Sequence, residues 1–236
     1  MTLVSTSSSG LVSQPALQCL MDLVRWRSGD PDAVLLATRL NPHAAMQPMS
    51  DKQCQQALNT AASEMDEPAL GLYLGSQWFL SCYDLVNRCT DNSPDLLTAL
   101  QRLCTLLAQH MPLLQFDLDH HADLTRLSIS ATQPVQKIEP ILLEFSTSLI
   151  NGVLAYISDN RCHPQEVQLD FTEPAHQALY TVFFACPVNF HCSQNQLLFN
   201  RKNLSRPLSQ RNLDAPFCVQ IEHLLTHVRG RYPNIE

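Results

Sequence analysis

The stretch Leu114-Gln115-Phe116-Asp117-Leu118-Asp119-His120-His121-Ala122-Asp123-Leu124-Thr125-Arg126-Leu127-Ser128-Ile129-Ser130-Ala131 marks a change of period in the chain. Leu114, Phe116 and Leu118 alternate with Gln115, Asp117 and Asp119, and after His120-His121-Ala122-Asp123 the alternation resumes at Leu127, Ile129 and Ala131. Period two with a polar break between the runs predicts a hairpin that buries one face. Upstream of it the apolar residues recur at helical spacing: Leu17, Leu20, Leu23, Val24 and Trp26 form one set. Ser50 and Gln53 have the spacing of a capping box ahead of Cys54, Ala57, Leu58 and Ala61. Ser93-Pro94-Asp95 reads as an N-cap with proline at the first helical position, opening a helix that carries Leu96, Leu97, Leu100, Leu103, Cys104 and Leu107 and ends before Pro112.

Downstream, Leu142, Phe145, Leu149, Gly152 and Tyr156 stand three and four apart and predict one apolar stripe on a long amphipathic helix. Val167, Leu169 and Phe171 read as a third strand. Ala175 to Ala185 reads as a short helix with Leu179, Val182 and Phe183 inward, Gln196 to Asn200 as a fourth strand, and Asp214 as the cap of a final helix with Ile221, Leu224, Leu225 and Val228 in the core. Helices first and then β-β-α-β-α-β-α predict an α+β fold, an N-terminal helical layer packed on a small, mainly antiparallel four-stranded sheet with interleaved helices.

Composition excludes several classes. The 236 residues are 45% hydrophobic and 16% charged, which describes a folded chain with a sparsely charged surface. A net charge of −7 with interleaved signs offers no basic patch for a phosphate backbone. No apolar run is long enough to cross a bilayer, and Met1 to Gly10 lacks the basic and apolar regions of a secretion signal, so no membrane partner is expected. Nine cysteines without any Cys-x-x-Cys spacing fit buried thiols in a reducing cytoplasm better than a disulfide framework.

The stretch Phe183-Phe184-Ala185-Cys186-Pro187-Val188-Asn189-Phe190-His191-Cys192 draws the eye as chemistry. Cys186, His191 and Cys192 offer soft metal ligands, but adjacent residues point to opposite faces of an extended segment and converge poorly on one ion. A nucleophilic Cys186 needs a base within reach and a lowered pKa, and Pro187 removes a backbone donor where an oxyanion would want one. Cys186 as a small apolar residue at a helix end, with Pro187 as terminator, is the simpler account. His120-His121 is assigned to the hairpin turn, and His110 to a helix C-terminus. No glycine-rich phosphate loop and no paired carboxylates stand out, so neither metal, cofactor nor enzymatic activity is expected.

Glu67-Pro68-Ala69-Leu70-Gly71-Leu72-Tyr73-Leu74-Gly75, Ser93-Pro94-Asp95-Leu96-Leu97-Thr98-Ala99-Leu100, Cys186-Pro187-Val188-Asn189-Phe190, Asn195 to Phe199 and Leu204-Ser205-Arg206-Pro207-Leu208 together resemble the N-terminal, arabinose-binding-type effector domain of AraC-type transcription regulators, from about Leu17 to Leu208. Ala185 stands where that pattern usually has Gly. The resemblance implies a bacterial cytoplasmic sensor domain that binds a small-molecule effector and acts as a homodimer, with DNA bound only through a helix-turn-helix half absent from these residues. Residues 1–12 are then expected as a tail, 13–230 as the regulatory domain with a subdomain seam near 113, and 231–236 as the start of the junction. Phe145, Tyr156, Phe184 and Phe190 are the expected pocket walls, and Arg126 and His110 the expected polar anchors. Two rival expectations are a ligand-free dimerisation module using the final helix, and a cysteine-dependent enzyme using Cys186.

Overall fold

The computed structural model describes residues 14–39, 50–65, 68–81, 83–111, 113–133 and 138–209. The expected tail, the final helix from Asp214 to Val228, the junction at 231–236, Cys82, Cys218 and the side chains of Trp26 and Cys19 lie outside them. Six helices come first: α1 (Gln14–Trp26), α2 (Pro31–Thr38), α3 (Asp51–Met65), α4 (Leu70–Ser81), α5 (Tyr83–Thr90) and α6 (Leu96–His110). The helix starts obey local chemistry. Ser50 Oγ accepts from the Gln53 N–H at 3.3 Å while Gln53 Oε1 accepts from the Ser50 N–H at 3.0 Å, the reciprocal box read from the sequence. At α6 the cap is Asp95 rather than Ser93: Asp95 is extended, and its carboxylate accepts from the Thr98 N–H at 2.8 Å. Ser93 instead donates to the Cys89 carbonyl at 2.8 Å and closes α5.

The hairpin follows as β1 (Leu114–His121) and β2 (Leu124–Ala131), antiparallel with Leu114 opposite Ala131 and His121 opposite Leu124. β1 therefore runs through His120 and His121, and the turn shrinks to Ala122 and Asp123. His120 faces Thr125 with Nδ1 and Oγ1 3.1 Å apart, so the histidine pair belongs to the strand. The remaining elements are α7 (Glu139–Ile157), β3 (Glu166–Gln168), α8 (Gln177–Phe184), β4 (Val188–Asn189), β5 (Asn195–Asn200) and α9 (Arg201–Leu204). Among the described residues the sheet has five strands in the order β1-β2-β5-β3-β4, one more than expected, because the two-residue β4 pairs parallel to β3. All other pairings are antiparallel, and the α+β class stands.

Two expectations about helix faces are corrected. α7 is not amphipathic: from Leu142 to Ile157 every residue except Phe145 and Gly152 is buried, because α4, α6 and α8 all pack on it. It has the length and apolar character of a membrane span, yet it is the central helix of this fold. In α8 it is Tyr180, Phe183 and Phe184 that turn inward, while Val182 is 41% exposed and Leu179 half-buried. The rotation is fixed by polar ties to α7, through Tyr180 and the Phe183 carbonyl.

Candidate functional site

Glu144, Ser148 and Asn151 stand four and three apart on α7, so their side chains share one face of a helix buried all round. Each is about 3% exposed. Ser148 Oγ donates to the Leu72 carbonyl of α4 at 2.9 Å, and Asn151 Nδ2 donates to the Phe183 carbonyl of α8 at 2.9 Å. Glu144 Oε1 accepts from the Tyr180 hydroxyl and lies 2.7 Å from His176 Nε2. An ionised carboxylate can only accept, which assigns the Nε2 proton to that contact. The result is a polar seam running through an apolar core where α4, α7 and α8 meet.

The seam is incompletely satisfied. Among the described residues, Glu144 Oε2, Asn151 Oδ1 and His176 Nδ1 are buried without a hydrogen-bond partner. Each such orphan costs about 1–3 kcal/mol unless a water or a ligand meets it. Burial, the Glu144 charge and the hydrogen bond to Glu144 together push the Tyr180 phenol well above its ordinary range, which keeps it a donor.

Aromatic rings wall the cluster. The His176 ring stacks on Tyr180 at 5.6 Å, Phe190 meets Tyr180 edge-on at 5.1 Å, and Phe184 lies 6.2 Å from it. Further along, Tyr73 of α4 meets Phe183 edge-on at 5.5 Å, and the Arg27 guanidinium sits 4.6 Å above the Tyr73 ring. The walls are held by the turn after α8. Ala185 takes the left-handed conformation (φ 53°), and its N–H closes on the Thr181 carbonyl at 3.0 Å. His191 is also left-handed (φ 57°), and Val167 N–H to Pro187 O at 3.0 Å and Leu169 N–H to Asn189 O at 2.8 Å clamp the segment between them. A left-handed helix end explains why Gly is the usual residue at position 185.

Of the residues expected to line a pocket, Phe184 and Phe190 meet at Tyr180. Phe145 is half-buried next to Glu144, with its carbonyl turned to α4. Tyr156 is buried near the far end of α7. Arg126 lies on the sheet face opposite to the buried Thr125 and Leu127, and His110 is the last residue of α6; neither joins the seam. Glu144, Ser148, Asn151, His176 and Tyr180 were missed. The available signal was the acid inside Leu142-Leu143-Glu144-Phe145, with Ser148 and Asn151 on its helical face.

Cys186 is buried, and burial followed by the Glu166 charge pushes its thiol up to about 11, the opposite of what a nucleophile needs. Among the described residues no three His, Cys, Asp or Glu side chains gather as metal ligands. Elsewhere, Gln101, Cys104, Thr105 and Ala108 of α6 with Phe116 and Leu118 of β1 line an open, uncharged groove of about 550 Å³.

The sequence profile of the family described as the arabinose-binding domain of AraC transcription regulator, N-terminal, matches residues 29–208. No curated protein matches the chain. Among solved structures, the crystal structure of the transcriptional regulator CdpR from Pseudomonas aeruginosa is similar with a TM-score of 0.54 and 15% identity over 82% of this chain, a likeness of fold alone. The chain spans 64% of the length of that regulator. With a family match over most of its length, the chain belongs to the N-terminal arabinose-binding domains of AraC transcription regulators.

Proposed function

We propose that residues 13–230 form a sensor unit in which a small-molecule effector seats at the Glu144–His176–Tyr180 cluster, where α8 meets α7, and controls an attached DNA-binding half. The observation that carries this is the buried Glu144–His176–Tyr180 cluster, with unpartnered polar atoms on both Glu144 and His176. A ligand that supplies partners to those atoms gains what the free protein forfeits. His176 is 10% exposed at its side chain and sits at the start of α8, so α8 is the element through which a ligand enters. Effector binding then favours one placement of α8 and of the turn that follows it, and the ligand acts only through its preference for that placement. Cytoplasmic location, a homodimer and DNA contact through a following helix-turn-helix domain complete the proposal. Chemistry at Cys186 has no part in it.

A thermal-shift screen of metabolites on this chain, repeated on Glu144→Gln, tests the assignment. At least one compound is expected to raise the melting temperature of the wild type and not of the variant. Compounds that stabilise both forms alike would move the site elsewhere. The uncharged α6–β1 groove beside β1, whose outer edge pairs with no strand among the described residues, favours a second reading, a ligand-free dimerisation module. A dimer broken by Phe116→Glu, with no compound from the screen bound, would support that reading instead.

A further inference from the structure

We propose that the outer edge of β1 docks an extended protein segment in which basic and apolar residues alternate, added as a further strand of the sheet. The surface uses none of the residues of the Glu144 cluster, so the inference stands apart from the sensor assignment.

Among the described residues β1 ends the sheet and pairs with β2 alone. Such an edge turns alternate N–H and C=O groups away from its neighbour, where another strand can take them. Leu114 to His121 contain no proline and no lysine, and the register with β2 runs through without a bulge, so these usual means of blunting an edge are missing. The two faces of the strand differ. Gln115, Asp117, Asp119 and His121 are exposed on one face, and Phe116 and Leu118 are half-buried on the other. Across from Phe116 and Leu118, the α6 residues Gln101, Cys104, Thr105 and Ala108 stand three and four apart, and between them lies the open groove of about 550 Å³.

A strand laid against β1 keeps the same alternation: its side chains on one face meet Asp117 and Asp119, and those on the other enter the groove. Asp117 accepts from Gln115 Nε2 at 2.8 Å, and Asp119 lies 2.7 Å from His121 Nε2, so both carboxylates are held on the exposed row. Arg126, opposite Asp119 on β2, offsets one charge from the inboard side and leaves the edge itself acidic. Lysine or arginine at alternate positions complements that row, and small apolar residues between them fit an uncharged groove. A second copy of β1 is the rival occupant, and its charges oppose it. Antiparallel pairing about a twofold axis sets Asp117 against Asp117 when centred on that residue, and Asp117 against Asp119 when centred on Leu118. Like charges directly opposite one another destabilise a sheet.

The test is fluorescence anisotropy of a dye-labelled peptide, acetyl-Ser-Lys-Val-Arg-Val-Lys-Ser-amide, titrated with this chain. The controls are the same residues without alternation, Ser-Lys-Arg-Lys-Val-Val-Ser, and an acidic peptide, Ser-Glu-Val-Glu-Val-Glu-Ser. Saturable binding of the alternating basic peptide alone is expected. Asp117→Asn combined with Asp119→Asn should weaken it about fivefold, the loss of two exposed charge pairs, and Leu118→Glu should abolish it. Circular dichroism checks that both variants fold. Equal binding of the peptide without alternation would reduce the contact to attraction between charges and overturn strand addition. Binding unchanged in both variants would overturn the site. No binding of the alternating peptide would overturn the proposal, and a dimer dissociated by Leu118→Glu would then identify a second copy as the occupant.

Discussion

The Cβ that Gly71 lacks would stand 2.5 Å from the Cβ of Glu144 and 2.4 Å from the carbonyl oxygen of Ile141. One turn later, a Cβ on Gly75 would stand 2.3 Å from the carbonyl oxygen of Phe145. α4 and α7 therefore meet backbone to backbone along these two glycines, which closes the α4 side of Glu144.

Gly71→Ala and Gly75→Ala are each expected to lower stability by about 2 kcal/mol, although alanine favours a helix by about 1 kcal/mol over glycine. The nearest atom at each site is a backbone carbonyl oxygen, which cannot swing aside as a side-chain tip can. Urea unfolding at neutral pH checks the sign, and a gain in stability at either site would mean that the helices part easily.

Tyr180→Phe removes one of the two donors to Glu144 Oε1 and is expected to cost about 1.5–3 kcal/mol. Because the folded phenol is raised above its ordinary value of 10.0, its contribution is complete below that pH and fades as the pH rises beyond it. Ultraviolet titration should show a tyrosine component silent until the chain unfolds, and Tyr180→Phe should reduce it.

Ala185→Gly should stabilise the fold by about 1 kcal/mol, since the position is left-handed and alanine pays a steric cost there. The midpoint of urea unfolding should rise with an unchanged slope. A fall would show that the turn before Cys186 is held by the alanine methyl group.

Burial pushes the thiols of Cys89 and Cys104 up to about 12 and that of Cys162 up to about 11, from an ordinary 9.0. Unfolded thiols ionise from pH 9.0 upward while the folded ones hold their protons, so stability is full below that pH and declines through the folded values. Urea midpoints should therefore hold up to pH 9.0 and drop above it. Cys186 should react slowly with iodoacetamide in the native state.

The fold was legible where local chemistry or a clean period decides it: the Ser50–Gln53 box, the Leu96–His110 helix and the alternating hairpin all appear in the structure. The site was not legible for a physical reason. A helix buried on every side has no exposed face, so Glu144, Ser148 and Asn151 look from the sequence like the wet side of an amphipathic helix. Their partners His176 and Tyr180 lie across the sheet-forming β3, and only the packing of α8 on α7 brings them to Glu144. β4 escaped notice because two residues are too few to show an alternation. Ala185, by contrast, stands out in the sequence against the usual Gly, and its positive φ supplies the reason.

The most direct measurement is native mass spectrometry of the freshly purified chain beside its Glu144→Gln variant, each repeated after denaturation. The account predicts a small-molecule mass carried by the wild type, absent from the variant and released on denaturation. The same bound mass retained equally by both proteins would contradict a site at Glu144.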